Sequence, residues 1–469
     1  MIIILHSHTY EMYMKNIIVF ICCFFLGSCA QVPEAEKIIA VAEAQNTEPQ
    51  IVGAYGPLTL EQSSAVLKDI SRDDSFHRHV AIEEALAETP LVGDNHTRLL
   101  LDGRETLPAM FMAIEGAKHH INLEYYIFQN VEFNGVKLQD LLLRKRQQGV
   151  EVNIIYDSFG SSDTSQEFFN SLKEAGVKIV QYNPLNPLMS RKDYAPNERT
   201  HRKILTVDGT LAIIGGINMS DTYEEDDFGK STGPPGTTRE QWRDTDIEIR
   251  GPVVAQLDDL FLDHWYEQKG PSIDINTFFP PPRDKGKEII RILGSAPENS
   301  LPRYYVALYS AIRNSSKNVW LMTAYFVPTD DKIEILSEAA QRGVDVRLLL
   351  PKASDSREAI AMQRSSYGDL LESGVRVFET TSDVVLHSKV AVVDGVWVAI
   401  GSSNLDHRSV LYNDEVDAVI LGEKTGQATE KMFLDDLELS HEITLEEWRN
   451  RPLIEYLYEI YARLWRKLL

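Results

Sequence analysis

His201 and Lys203 stand two residues apart, as do His387 and Lys389, and an Asp-Gly pair follows each at the same distance, Asp208-Gly209 and Asp394-Gly395. Both copies read His-x-Lys-x4-Asp-Gly on an apolar, β-branched run. Each leads to a turn that closes on Asn, Gly215-Gly216-Ile217-Asn218 and Gly401-Ser402-Ser403-Asn404. In an extended strand residues i and i+2 project from one face, so each copy sets an imidazole beside an ammonium. A neutral imidazole is a good nucleophile toward phosphorus, and a second one protonates a leaving alkoxide near neutral pH. The two lysines suit a tetrahedral phosphodiester because they oppose the charge that builds up in the transition state, and Asn218 and Asn404 add neutral donors for the same oxygens. Two matched half-sites imply one composite site.

An imidazole that passes protons needs an acceptor on its other ring nitrogen. The chain supplies one per half at a matched place. Trp242-Arg243-Asp244-Thr245-Asp246 runs on to Gly251, and Asn413-Asp414-Glu415-Val416-Asp417 runs on to Gly422, so Asp244 stands opposite Glu415. His, Asp and Glu are also metal ligands, but a lysine beside each histidine opposes a bound cation. The pattern therefore predicts metal-independent chemistry with no cofactor.

The elements that must carry these residues repeat as well. In the first half the pattern predicts helix 110–118, strand 121–128, helix 137–148, strand 150–156, helix 166–175, strand 177–182 and then the His201 strand. In the second it predicts helix 304–314, strand 319–326, helix 333–342, strand 344–350, helix 358–373, strand 375–378 and the His387 strand. This alternation predicts an α/β fold rather than separate all-α and all-β parts. Asn218 and Asp244 are 26 positions apart and Asn404 and Glu415 are 11, a difference of 15 that falls in residues 224–241. That insert is acidic and then Gly/Pro-rich, which predicts a mobile loop near the site, with a lid as one role. A Pro-rich join at 271–287 separates halves at 91–270 and 288–469.

The 469 residues, 43% hydrophobic and 25% charged, fit a folded protein of two or three domain lengths. With 47 basic against 70 acidic residues the formal charge is −23, which repels a phosphate backbone and argues against nucleic acid as a partner. All three cysteines, Cys22, Cys23 and Cys29, precede residue 30, so the body forms no disulfide. An apolar run at 17–26 is too short for a bilayer core of about 30 Å and has the length of a signal-peptide h-region, with Lys15 as positive flank and Met14 as initiator. Leu26-Gly27-Ser28-Cys29 resembles a bacterial lipobox. It predicts residues 1–29 as a signal peptide with Cys29 lipidated, hence a lipid-anchored protein on the periplasmic face of the cell envelope; an ordinary secretory signal is the other reading. Ala30, in place of Asp, leaves the outer membrane open as the destination. Residues 30–90 read as an Ala-, Glu-, Gln- and Pro-rich tether to about residue 59, then short helices at 69–88, with firm order from Leu91.

The doubled motif and its flanks resemble the phospholipase D superfamily, and its cardiolipin synthase branch most closely. The resemblance runs from about Leu91 to Leu469. It rests on Leu-Val-Gly-Asp-Asn95, Leu-Glu-Tyr-Tyr126-Ile-Phe, Gly-Gly-Ile-Asn218-Met-Ser-Asp-Thr-Tyr223, Trp242-Arg-Asp244, Tyr325-Phe-Val-Pro328, Leu386-His387-Ser-Lys389, Gly401-Ser-Ser-Asn404-Leu-Asp-His-Arg408-Ser409 and Trp448-Arg-Asn-Arg-Pro452. It implies the phospholipase D fold, two tandem pseudo-symmetric α/β/α halves with mixed β-sheets and the active site at their interface. It also implies a two-step reaction through phosphohistidine, with His201 as nucleophile and His387 as general acid/base, the reverse assignment staying open. By the same resemblance Glu415 backs His201 and Asp244 backs His387 across the interface, while Asp208 and Asp394 complete the catalytic motifs by closing their turns.

The implied partners are phospholipids at a membrane surface, with phosphatidylglycerol as donor and a second phosphatidylglycerol as acceptor. With water as acceptor the same site is a hydrolytic phospholipase D, and a secreted nuclease is the reading that the charge disfavours. The leader departs from the two transmembrane helices that begin many bacterial cardiolipin synthases. Residues 453–469, aromatic and Leu-rich with Arg463, Arg466 and Lys467, fit either an interfacial helix or a packed C-terminal one.

Overall fold

The computed structural model describes residues 32–190, 194–223, 241–279, 286–297, 301–354, 356–381 and 384–466. The segment with Cys29 and nearly all of the 224–241 insert lie outside the described residues.

Apolar strands buried on both faces build two mixed sheets of one plan. The first contains β1 (Leu91–Leu101), β2 (His120–Tyr125), β3 (Glu151–Asp157), β4 (Lys178–Tyr182), β5 (Lys203–Val207), β6 (Leu211–Gly215) and β7 (Thr245–Arg250), paired in the order β4-β3-β2-β5-β6-β7-β1. β4, β3 and β2 are parallel; every later pair is antiparallel. The second contains β8 (Glu288–Ser295), β9 (Asn318–Met322), β10 (Asp345–Leu350), β11 (Arg376–Glu379), β12 (Val390–Val393), β13 (Trp397–Gly401) and β14 (Asn413–Leu421). Their order is β11-β10-β9-β12-β13-β14-β8, with the same parallel and antiparallel pairs. Helices make the parallel crossovers, as in Leu138–Gln147 and Gln166–Glu174 of the first half.

β1 belongs to both sheets. His96 through Leu101 pair with β7, while Val92 and Asn95 pair with β8. The Asn95 amide donates to the Val92 and Gly93 carbonyls (2.8 and 3.0 Å), and its Oδ1 accepts the Val253 N–H (3.1 Å), which satisfies backbone groups that the change of partner frees. The inner faces of the sheets share one core, in which Ile204, Ile214 and Ile247 pack with Ile290, Val392 and Ile400. Their neighbours Leu205 and Ile213 turn the other way into the first half's own core. Each such side chain contributes about 1.5–3 kcal/mol on full burial, so the shared layer holds the halves as one body.

Two short strands cross the interface. Gln241–Arg243 pairs in parallel with Val384–Leu386, and Arg199–Thr200 pairs in parallel with Asn413 and Asp414 of β14. Each histidine comes directly after a segment so paired. His201 therefore precedes β5 and His387 precedes β12, rather than lying within a strand as the motif predicts, because the backbone changes partner there.

The expected tether is corrected by the structure. Helix Ala35–Ala44 buries Ala35, Ile39 and Ala42 in the second half's core with Val80 of helix Asp74–Leu86 and Ile312 of helix Arg303–Arg313, and Ile51 pairs with Leu91 of β1. The i, i+4, i+7 stripe is made of small residues, and such a helix forms only against a partner, so composition alone reads as a linker. The join between halves is likewise attached: Ile273 and Phe278 are buried with Phe261 and Trp265, whose indole donates to the Pro271 carbonyl (2.7 Å). The helix expected at 358–373 is two, Arg357–Arg364 and Tyr367–Glu372. At the break the Ser365 and Ser366 hydroxyls donate to the Met362 and Gln363 carbonyls (2.7 Å each), a local alternative to the helical ladder.

Candidate active site

Two consecutive residues of the opposite half clamp each histidine. The His201 N–H donates to the Asp414 carbonyl (2.9 Å), and its Nδ1 lies 2.9 and 3.1 Å from the Glu415 carboxylate oxygens. The His387 N–H donates to the Arg243 carbonyl (2.8 Å), and its Nδ1 lies 2.6 Å from Asp244 Oδ2. A carboxylate on Nδ1 fixes the proton there and leaves Nε2 for a reacting atom. The ring side chains keep 12% and 11% of their surface open, enough for one small group to reach each.

The lysines are buried beneath the rings, Lys203 Nζ donating to the His201 carbonyl (2.6 Å) and Lys389 Nζ to that of His387. Each ammonium also acts on the histidine of the other half, so the two motifs converge on one place. Asn218 is anchored by the Ile127 N–H on its Oδ1 (3.1 Å) and Asn404 by its own N–H on Ser409 Oγ (3.1 Å). The Asn404 Oδ1 is buried with no hydrogen-bond partner among the described residues.

Asp208 and Asp394 stand elsewhere. Each adopts the left-handed conformation (φ 52° and 53°) at the far end of its strand. Asp208 accepts the N–H groups of Lys118, His119 and His120 (2.8–2.9 Å), and Asp394 those of Ser316, Lys317 and Asn318 (2.7–3.1 Å to the nearer oxygen). They tie the turns into β2 and β9, apart from the histidine pair, in the turn-closing place that the resemblance implies for them.

Burial dominates the electrostatics. It pushes His387 down to about 4, with Lys389 adding to the effect, and it lowers His201 against the opposing pull of Glu415. Burial likewise brings Lys203 down to about 7 and depresses Lys389. Asp244 goes the other way: burial would raise it, but Lys389 and His387 outweigh that and hold it at about 2. Glu415 is depressed against burial by His201. Two residues beyond each of these acids, burial raises Asp246 well above its ordinary range and Asp417 to about 8, so each half sets a depressed acid and a raised one two residues apart.

Several residues around the clamps escape a reading of the motif alone. Ser402 Oγ (2.5 Å), Ser409 Oγ (2.7 Å) and Asn413 Nδ2 (3.2 Å) donate to Glu415, and the Tyr223 hydroxyl (3.2 Å) and Thr245 N–H (2.8 Å) donate to Asp244. The available signal is the mismatch between Gly-Gly-Ile-Asn and Gly-Ser-Ser-Asn. Ser402 stands where the first half has Gly216, and a Cβ at Gly216 would overlap the Asp244 carboxylate. The shorter acid fills the space that the missing side chain leaves.

Comparison with known proteins gives the family. The family described as "Cardiolipin synthase, PLD-like domain" matches residues 110–228 and 308–437. The cardiolipin synthase of Alkalihalophilus pseudofirmus is 34% identical over 82% of this chain and 74% of its own length, and cardiolipin synthase 2 of Bacillus anthracis is 33% identical over 80% and 70%. The phosphatidylserine synthase of Haemophilus influenzae shares the fold, with a TM-score of 0.60 at 12% identity over 82% of this chain and 97% of that one. The chain belongs to the cardiolipin synthase-like branch of the phospholipase D superfamily and is an enzyme of the phosphatidyltransferase type.

Proposed function

We propose that the chain takes a phosphatidyl group from phosphatidylglycerol onto His201 and passes it to a hydroxyl of a second phosphatidylglycerol, at a membrane surface. The double clamp carries this reading: two imidazoles, each with Nδ1 on a carboxylate of the other half, present two Nε2 atoms to one anion-binding space. In the first step His201 Nε2 bonds to phosphorus, the bond from phosphorus to the glycerol oxygen breaks, and His387 gives that oxygen its proton. In the second, His387 takes the proton of the acceptor hydroxyl, the new oxygen–phosphorus bond forms, and the N–P electron pair returns to His201. Lys203 and Lys389 oppose charge on the non-bridging oxygens in both steps, and Asn218 and Asn404 orient them. Because burial and Lys389 hold His387 near 4, it becomes an acid only when the anionic phosphodiester is in place.

The C-terminal helix Leu453–Arg466 supports the membrane setting. It is turned inside out. Glu459 is buried on Arg451 (2.6 and 2.8 Å) and Ala462 packs with Val327 and Met362, whereas Leu453, Ile454, Tyr456, Leu457 and Ile460 face outward. An outward face that is largely apolar, with Glu459 withdrawn and Glu455 half-buried, suits a bilayer surface better than water. Among the described residues no helix is long and apolar enough to cross a membrane, and a lipid on Cys29 would supply the anchor.

Incubation with phosphatidylglycerol vesicles and mass spectrometry of the products tests the reaction. Cardiolipin and glycerol are expected; phosphatidic acid alone would make the enzyme a hydrolytic phospholipase D. Acid-labile phosphate on His201 would identify the nucleophile, and incorporation of a fatty-acid probe at Cys29 would identify the anchor.

A further inference from the structure

The residue just before each clamping acid differs between the halves, and so does what holds it. Asp414 precedes Glu415. Its carboxylate accepts the Tyr182 hydroxyl (2.5 Å) and lies 3.3 Å from His264 Nε2, and His264 Nδ1 lies 2.7 Å from Glu124. His264, Tyr182 and Glu124 belong to the first half and Asp414 to the second. An imidazole that faces a carboxylate from each nitrogen donates from both, and so is a cation. In the other clamp the matching place is Arg243, before Asp244. Its guanidinium grips Asp436, of helix Glu423–Glu438, with two bonds (2.8 and 2.7 Å) and reaches Asp102 (3.3 Å). Here the first half supplies the cation on the strand, and the second half supplies the anion on the helix.

Both arrangements act on the reacting histidines through the backbone, since the Asp414 and Arg243 carbonyls are those that receive the His201 and His387 N–H groups. We propose that His264 and Asp436 are positioning residues that latch the two half-sites across the interface with opposite polarity, so that alkaline pH releases the His201 half-site while leaving the His387 half-site held. The proposal rests on the reading of His201 and His387 as the reacting pair.

The first latch can exchange its proton. A cavity of about 340 Å³ opens beside it, lined by His264, Asp414, Tyr182 and Arg202. The groups that face His264 are Glu124 of β2, Asp414 of β14, Tyr182 of β4 and the Arg202 guanidinium. Asp263 and Glu267 flank it on its own helix, and Glu88, Glu198 and Arg303 line the cavity wall. Burial and Arg202 disfavour the imidazolium, but Glu124 and Asp414 prevail and raise it to about 9. A group raised above its ordinary value holds the latch below that value and lets go as pH rises through about 9. In the other latch Asp436 and Asp102 outweigh burial and raise Arg243 further above its ordinary range, so it stays a cation there.

The experiment measures turnover of bis(p-nitrophenyl) phosphate by the full chain between pH 7 and 10, for the wild type, His264→Gln and Asp436→Asn. A displacement of about 1 Å costs on the order of 10²-fold, so each variant is expected to lose about 10- to 100-fold in kcat at pH 7 with KM little changed. Wild type and Asp436→Asn should share a fall in kcat near pH 9, and His264→Gln should lack it. A His264→Gln variant that keeps the wild-type alkaline fall, or that matches wild-type kcat, overturns the proposal. Arg243→Lys, which keeps the charge but not the paired bonds, should retain more activity than Arg243→Met; equal losses overturn the second latch. Imidazole NMR of the ¹⁵N-histidine-labelled chain reads the first latch without turnover: His264 should be doubly protonated at pH 7 and lose a proton near pH 9. A neutral His264 at pH 7 overturns the latch, whereas a doubly protonated His264 in a wild type with no turnover overturns only the reading of the reacting pair.

Discussion

Replacing Asp244 with Asn tests the clamp on His387 with the least change of shape. Asp244 is fully buried and accepts from His387 Nδ1 (2.6 Å), the Tyr223 hydroxyl (3.2 Å) and the Thr245 N–H (2.8 Å). Held at about 2 by Lys389 and His387 against burial, it is an anion throughout the working range, and its charge stabilises an imidazolium at His387. Two unit charges with centres about 4 Å apart attract by about 4 kcal/mol at an effective dielectric of about 20. At roughly 1.4 kcal/mol per factor of ten, losing that attraction costs about 10³-fold in the step where His387 carries the extra proton. The assay compares the single-turnover rate of glycerol release from phosphatidylglycerol, whose alkoxide needs a proton to leave, with that of p-nitrophenolate release from bis(p-nitrophenyl) phosphate, whose leaving group needs none; both stop before the second step, in which His387 takes a proton from any acceptor. The loss should be near 10³-fold on the first and much smaller on the second, with a melting temperature within a few degrees of wild type because Asn keeps the volume. Equal losses on both substrates would mean that Asp244 does not serve the proton donor. A loss under about tenfold on phosphatidylglycerol would remove the charge argument altogether.

Asp208→Ala and Asp394→Ala should each lower stability by about 1.5–3 kcal/mol, the worth of hydrogen bonds to a charged acceptor, and leave kcat of the folded enzyme unchanged, as denaturant melts and kinetics will show. Gly216→Ala pushes a methyl group onto the Asp244 carboxylate and should cut kcat about 10²-fold, whereas Gly116→Ala, with open space around it, should not. Burial brings Lys203 to about 7, below its ordinary value, so the free enzyme loses this cation as pH rises through about 7. The fall in kcat/KM for an anionic diester in that range should move to higher pH in Lys203→Arg, and a profile unchanged by that substitution would remove Lys203 from phosphate binding.

The repeat was legible because it is written in spacing. The interval from His201 to Asn218 recurs from His387 to Asn404, and sheet order follows it strand for strand. The clamping acids were legible for the same reason, as Asp244 and Glu415 occupy matched places before Gly251 and Gly422. What spacing does not carry is how partners cross between halves. His264 lies 150 positions from Asp414 in a helix that reads as ordinary amphipathic sequence, and only packing brings it there. The helix Ala35–Ala44 escaped because its buried stripe is alanine and isoleucine, too small to stand out from a linker composition. Asp208 and Asp394 were legible as residues that close their turns, but not the N–H groups they accept, because residues 118–120 and 316–318 come to them only through the pairing of β5 with β2 and β12 with β9.

The exchanged strands at 199–200 and 241–243 make each half an incomplete catalyst, because Asp414 and Arg243 receive their histidines only across the interface. A chain opened within residues 271–287 would keep its site only while the shared core held the two fragments together, and on dilution below that affinity its rate would depend on how much of each was present. The covalent join removes that dependence by holding each half at an effective concentration on the order of millimolar to the other. The connecting segment thus keeps the composite site independent of dilution.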